Sequence, residues 1–199
     1  MKRMLVLSTL AALLLTACAA ERTEGRAQAL QRRYLESESY TAEVVVTIPD
    51  EADMRTYTLR VERAAGETRL RVLEPEELAG IGAVLRDGGA LSLEFDGTLL
   101  DAGSAGPGVS ALNSPSILLR AAAEGYVTER SEERFAGEDA LRLCFETEYG
   151  GERLLAAAYF DGEDRPLYAE LERDGEILAY LEFTDFDFRD ILPSEQRPD

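Results

Sequence analysis

The residues of this chain that could carry chemistry are few, and their spacing is informative mainly for what it rules out. The 199-residue sequence holds no histidine and two cysteines, Cys18 and Cys144. Without histidine, a serine or cysteine nucleophile has no imidazole to take its proton, and zinc loses a principal nitrogen ligand. Cys144 shares one face of an alternating run with Arg142 and Glu146. Those neighbours offset each other, and no base is at hand to activate the thiol. Asp185 and Asp187 alternate with Phe186 and Phe188, which sets both carboxylates on one strand face. An acid pair without a defined separation or a partner base specifies no reaction. Asp161-Gly162-Glu163-Asp164 has the residue types of a calcium loop but not the Asp-x-Asp-x-Asp-Gly spacing. Gly80-Ile81-Gly82 lacks the rest of a dinucleotide fingerprint. The expectation is a non-enzyme, with no catalytic residue and no metal site.

Cys18 has a more definite chemistry. Lys2 and Arg3 precede an almost wholly apolar run, Met4 to Leu15, broken only by Ser8 and Thr9. That run is shorter than the ~20 apolar residues that span a bilayer. A short apolar segment behind a basic start reads as an export signal. It ends Leu15-Thr16-Ala17-Cys18, which resembles a bacterial lipobox. The resemblance implies diacylglyceryl transfer to the Cys18 thiol, cleavage before Cys18, and a further N-acyl chain of the palmitate kind. One acyl chain binds a membrane marginally, and two or more anchor stably. The competing reading is an ordinary signal peptide with a chance cysteine. No cofactor is expected beyond this covalent lipid. The expected location is the extracytoplasmic face of a bacterial membrane, reached through the lipid anchor.

Composition narrows the partners. The formal net charge is −18, and Lys2 is the only lysine. Nucleic acid needs a basic footprint, which is absent. An anionic lipid surface is electrostatically unfavourable, so the lipid itself must anchor the chain. With Cys18 lipidated, Cys144 is left without a disulfide partner.

The elements that must position any site follow from periodicity. Ala27, Leu30 and Tyr34 recur at helical spacing, with Leu35 beside them, and predict a first helix ending near Glu36. The period then changes to two. Tyr40, Ala42, Val44, Val46 and Ile48 alternate with polar residues, and so do Tyr57, Leu59 and Val61, and then Leu70 and Val72. The pattern returns at Leu91, Leu93 and Phe95, at Leu141, Leu143 and Phe145, and at Ile177 through Phe183. Such runs have one dry face and one wet face. Turn signals separate them at Ala65-Gly66, Asp87-Gly88-Gly89, Asp96-Gly97, Gly150-Gly151, Asp161-Gly162 and Asp174-Gly175, and Asp-Gly between alternating runs marks a tight hairpin. The stretch 102–114 is too rich in glycine, serine and proline for a strand. Ser114-Pro115 then opens a second helix, and Gly125 stops it. The fold class is therefore mainly β (α+β). It is a strongly curved antiparallel sheet of about nine to eleven strands, an incomplete β-barrel enclosing two helices. A closed barrel or a two-sheet sandwich is the competitor. The chain divides into a lipoprotein signal peptide (1–17), the lipidated cysteine and tether (18–26), one half-barrel domain (27–190) and a flexible tail (191–199).

Several stretches resemble the LolA/LolB-like lipoprotein carrier superfamily, in order and over nearly all of residues 22–190. They are "YTAEVVV", "RLRVLEPEELAGI", "LNSPSILL", "YFDGEDRPLYAEL" and "LEFTDFDF". The resemblance implies an incomplete barrel with a helical lid, whose apolar concave face holds the acyl chains of lipids or lipoproteins. Strand residues placed to line such a groove are Val44, Val46, Leu59, Val61, Leu70, Leu91 and Leu93, although the same residues could instead form a filled core. Leu78 is the nearest counterpart of the leucine that LolB-type members expose on a turn. Germination lipoproteins of the GerS type are also similar, and they imply a second role: a non-catalytic, tethered partner of a cell-wall or spore-cortex enzyme. The loop at 102–113, with Val109 and Leu112, is a candidate contact for such an envelope protein.

Overall fold

The computed structural model describes residues 22–189 apart from 51, 52, 88, 105 and 107. Cys18, the export signal and the tail lie outside the described residues.

The described residues open with helix α1 (22–36) and continue as a meander of six strands. These are β1 (Tyr40–Asp50), β2 (Asp53–Ala64), β3 (Glu67–Glu74), β4 (Gly82–Arg86), β5 (Ala90–Phe95) and β6 (Thr98–Ser104). A short 3-10 turn, Glu76–Leu78, lies between β3 and β4. Helix α2 (Ser114–Glu124) leads to a second meander: β7 (Tyr126–Phe135), β8 (Glu138–Tyr149), β9 (Glu152–Phe160), β10 (Pro166–Arg173) and β11 (Glu176–Phe188). Antiparallel pairing of β1 with β11 joins the two meanders into one sheet of 11 strands, with β6 and β7 at its edges. The sheet is curved and unclosed, which excludes the closed barrel and the sandwich.

Local chemistry explains the meanders. In five hairpins both turn residues have positive φ, as at Asp96 (47°) and Gly97 (73°). That geometry matches the twist of the flanking strands and favours Asp-Gly and Gly-Gly. Alternation then sorts the faces. Val44, Val46, Leu59 and Val61 are fully buried on the concave side, where they join Leu30 of α1 and Ile117, Leu118 and Ala121 of α2 in one core. The convex face is laced by cross-strand ion pairs, such as Arg60–Glu43 at 3.4 Å and Arg153–Glu146 at 2.6 Å.

Three local features differ from the sequence reading. Residues 22–26, placed in the tether, are helical as part of α1. Arg26 donates to the Asp161 carbonyl at 2.8 Å and Glu24 pairs with Arg130 at 3.1 Å, so tertiary contacts hold this first turn. Strand β6 runs to Ser104, into the stretch read as loop, because Gly103 and Ser104 pair with Leu91 and Ala90 of β5. Strand β7 shows no apolar alternation because, as an edge strand, it is mostly exposed.

Candidate functional site

Both helices lie toward one half of the concave face. Helix α2 packs on β8, β10 and β11. Helix α1 is fixed to the loop between β9 and β10: the Tyr34 hydroxyl donates to the Asp164 carbonyl at 2.9 Å, and Arg33 pairs with the Asp164 carboxylate at 3.5 Å. Gln31 donates to the Gly125 carbonyl at 2.8 Å and so ties α1 to the end of α2. Asp161 organises that loop from inside. Its carboxylate accepts from the Glu163 and Arg165 amides at 2.8 and 2.9 Å and from Arg165 Nε at 2.7 Å. The segment with calcium-like composition is thus a self-satisfied turn that docks a helix.

Where the helices meet the β2–β4 half of the sheet, a cavity of about 420 Å³ remains. It falls within the usual size of small-ligand sites, roughly 300–1,000 Å³. Ser116, Leu119, Arg120 and Ala123 form one stripe of α2 along its wall, at helical spacing. Tyr34, Tyr40, Ile117 and Leu85 complete its apolar lining, and exposed Leu35 stands at its opening. Three arginines ring it. Arg63 pairs with Asp87 at 2.9 Å, Arg86 with Glu67 at 2.9 Å, and Arg120 donates to the Glu148 carbonyl at 2.6 Å. Against Asp87 and Glu124 they leave the lining net positive, in a chain of charge −18. Ser116 Oγ is buried and has no hydrogen-bond partner among the described residues. A buried hydroxyl without a partner is costly, and one on a cavity wall is placed to meet a ligand atom or a water.

Burial pushes the Tyr40 phenol up to about 12, against the opposing pull of Arg63 and the Thr68 hydroxyl. Tyr34 is raised for the same first reason, with Tyr40 and Asp164 adding to it. The consequence is alkaline sensitivity. Below pH ~10 the Tyr40 phenol is neutral in folded and unfolded chains alike; above it the unfolded chain ionises first. Stability therefore falls as pH rises from the unfolded value through the folded one, by roughly 1–2 kcal/mol at pH ~11 from Tyr40 alone. Tyr40→Phe should lose less stability than the parent between about pH 9 and about pH 11 in urea unfolding. Equal losses would show that this phenol is not desolvated.

The residues singled out from sequence are placed as follows. Val44, Val46, Leu59, Val61 and Leu70 pack in the core, and none of them lines the cavity. Leu91 is half-buried against that core, while Leu93 is 40 % exposed. Leu78 lies half-buried in the 3-10 turn, and Val109 and Leu112 also pack against the core. Asp185 and Asp187 are exposed on β11. Cys144 is half-buried on β8, and its thiol, raised by burial, points to Glu129 Oε2 at 3.6 Å. The sequence reading did not single out Arg63, Arg86, Arg120, Ser116 or Tyr40 for this site. The available signal was positional: Arg63 and Arg86 stand at strand ends beside turns, and Ser116 and Arg120 share a helix face.

No family model matches the chain, and no curated protein matches it. Solved structures do. An uncharacterized conserved protein from Thermus thermophilus aligns at 16 % identity and a TM-score of 0.50, over 83 % of this chain and 89 % of its own. A DUF1329 family protein from Desulfovibrio piger aligns at 13 % identity and a TM-score of 0.50, over 84 % and 92 %. A putative outer membrane lipoprotein-sorting protein domain from Vibrio parahaemolyticus aligns at 11 % identity and a TM-score of 0.49, over 85 % and 93 %. At such identities the likeness is one of fold: a curved, unclosed antiparallel sheet carrying two helices, the architecture that the resemblance to the LolA/LolB-like carriers implied.

Proposed function

We propose that this chain is a lipid-anchored binding protein of the bacterial cell envelope that holds an acyl chain, free or on a lipoprotein, between its helices and its sheet. The observation that carries this reading is the cavity itself. Its lining sets apolar side chains such as Leu85, Ile117 and Leu119 beside three arginines and other polar groups, and one buried hydroxyl in it lacks a partner among the described residues. The apolar part of that lining suits methylenes, each worth ~0.8 kcal/mol when removed from water. The arginine heads suit the carboxylate, phosphate or ester oxygens at the polar end of the amphiphile. The role is one of binding and release, without bond-making.

Native mass spectrometry of protein purified from a bacterial host tests the reading directly. The expected result is a co-purifying species of acyl-lipid mass, or uptake of added palmitate. A clean apo mass with no uptake would overturn it. The anchor is tested separately: Cys18→Ala should move the protein from the membrane fraction to the soluble fraction, and a variant that still sediments with membranes would refute lipidation at Cys18.

A second reading is a tether that holds a cell-wall or spore-cortex enzyme at the membrane. The apolar surface that the helices leave uncovered on β5 and β6 favours it.

A further inference from the structure

The two edges of the sheet are unlike. Strand β7 is densely charged, with Glu129, Arg130, Glu132, Glu133 and Arg134, and α1 reaches it through Glu24–Arg130 at 3.1 Å and Arg26–Glu132 at 3.7 Å. Charge and a covering element are the usual protections of an edge. Among the described residues strand β6 has no covering element and little charge. Its only charged residue is Asp101, and β5 is its one strand neighbour. Four large apolar side chains of this hairpin are exposed: Leu93 (40 %), Phe95 (61 %), Leu99 (47 %) and Leu100 (59 %). Leu93 and Leu100 are directly opposed, and Phe95 follows Leu93 on the same face, so three of the four form one concave patch. Leu99 lies on the other face, opposite Glu94.

The register also states which backbone groups are free. The two-residue Asp96-Gly97 turn closes on the Phe95–Thr98 pair, so hydrogen-bonded and non-hydrogen-bonded pairs alternate from there. Leu99 and Asp101 fall in non-hydrogen-bonded pairs and turn their amides and carbonyls away from β5. The template ends at Gly103, whose amide is taken by the Asp101 carboxylate at 2.9 Å and whose φ is +80°.

The charge of the strip names the complement. Between Arg86 and Arg120 the sequence has four acids, Asp87, Glu94, Asp96 and Asp101, and no base. Asp87 pairs with Arg63, and Glu94 with Arg69 and Arg71, while Asp96 and Asp101 have no ion-pair partner among the described residues. A second copy of this acidic chain would bring like charge to like.

We propose that the β6 edge docks an extended, basic peptide segment of another protein by strand addition. An apolar side chain of the guest covers Leu100 and Phe95, the next residue carries a lysine or arginine to Asp101, and the guest backbone pairs with Leu99 and Asp101. Main-chain pairing supplies affinity in this mode, and alternate side chains supply selectivity. The site is separate from the cavity and does not depend on its occupancy.

The test uses the full chain and a fluorescein-labelled peptide, Lys-Val-Arg-Val-Arg-Val-Lys, blocked at both ends, read by anisotropy. An acidic chain attracts cationic peptides non-specifically, so the decisive variant keeps the charge. Leu99→Pro deletes an outward amide that β5 does not use, and should weaken binding at least about tenfold. Leu99→Ala keeps the amide and should weaken it less, while Asp101→Lys should weaken it at least as much as Leu99→Pro. Thermal unfolding of each variant checks that the fold is retained. Failure of the basic peptide to bind, or equal binding by Leu99→Pro and the parent, overturns the proposal. So does a dimer of the parent, seen by sedimentation, that Leu99→Pro dissolves, because the edge would then belong to a second copy.

Discussion

Tyr34→Ala is expected to lower the unfolding free energy by about 4 kcal/mol, the range of large-to-small aromatic changes in a core. Tyr34 is only 5 % exposed, although it sits on the first helix of the described chain. Its ring meets Phe188, Phe160 and Phe186 at centroid distances of 5.2, 5.9 and 6.1 Å, so it is the centre of an aromatic cluster drawn from α1, β9 and β11. Its hydroxyl donates to the Asp164 carbonyl, which would be left without that donor. Tyr34→Phe separates the two contributions. Keeping the ring and losing the hydroxyl should cost only about 1 kcal/mol, the net worth of one hydrogen bond. Urea unfolding of both variants measures the difference. If alanine cost no more than phenylalanine, α1 would be held by its polar contacts with residues 161–165 and not by its ring.

That helix also shows how far the sequence could be read. Ala27, Leu30 and Tyr34 announced their buried face because a helix repeats every 3.6 residues, and residues 22–26 did not, because distant partners at Asp161 and Arg130 hold Arg26 and Glu24. Alternation likewise placed Val44, Val46, Leu59 and Val61 on the dry face correctly. The same alternation put Leu91 and Leu93 beside them, yet Leu93 is exposed. Periodicity reports a face, whereas burial depends on how far the covering helix extends, and the packing of α2 concentrates on β8, β10 and β11. The β1–β11 pairing that joins the two meanders carries no local signal. It also holds a register shift between Glu43 and Val44, which lets Phe183 and Phe186 both turn inward although three positions separate them. The cavity was the least legible feature. Its arginines come from β2, β4 and α2, and in a chain whose bases are almost all arginine, type alone singles out none of them.

Ala123→Trp should abolish acyl-chain uptake while leaving the fold intact. Ala123 lies on the cavity stripe of α2, four residues after Leu119 and seven after Ser116, and its small side chain is part of what leaves the space open. It is half-buried and lines the void, so an indole there can grow into empty volume, and the overpacking cost of a filled core need not arise. An indole occupying the void removes the room for methylenes. A guest that loses even five or six buried methylenes loses about 4–5 kcal/mol, a factor on the order of a thousand in affinity. The thermal midpoint should stay within a few degrees of the parent, because Ala123, though it also packs against the core, lines the void into which the indole can extend. Ser116→Ala is the finer companion. It removes the one buried hydroxyl without a partner among the described residues, so it should be neutral or stabilising in the empty protein and should weaken only those guests whose polar atoms reach it. Full palmitate uptake by Ala123→Trp would mean that acyl chains bind elsewhere on the concave face, with the exposed Leu93–Phe95–Leu100 surface the next place to look.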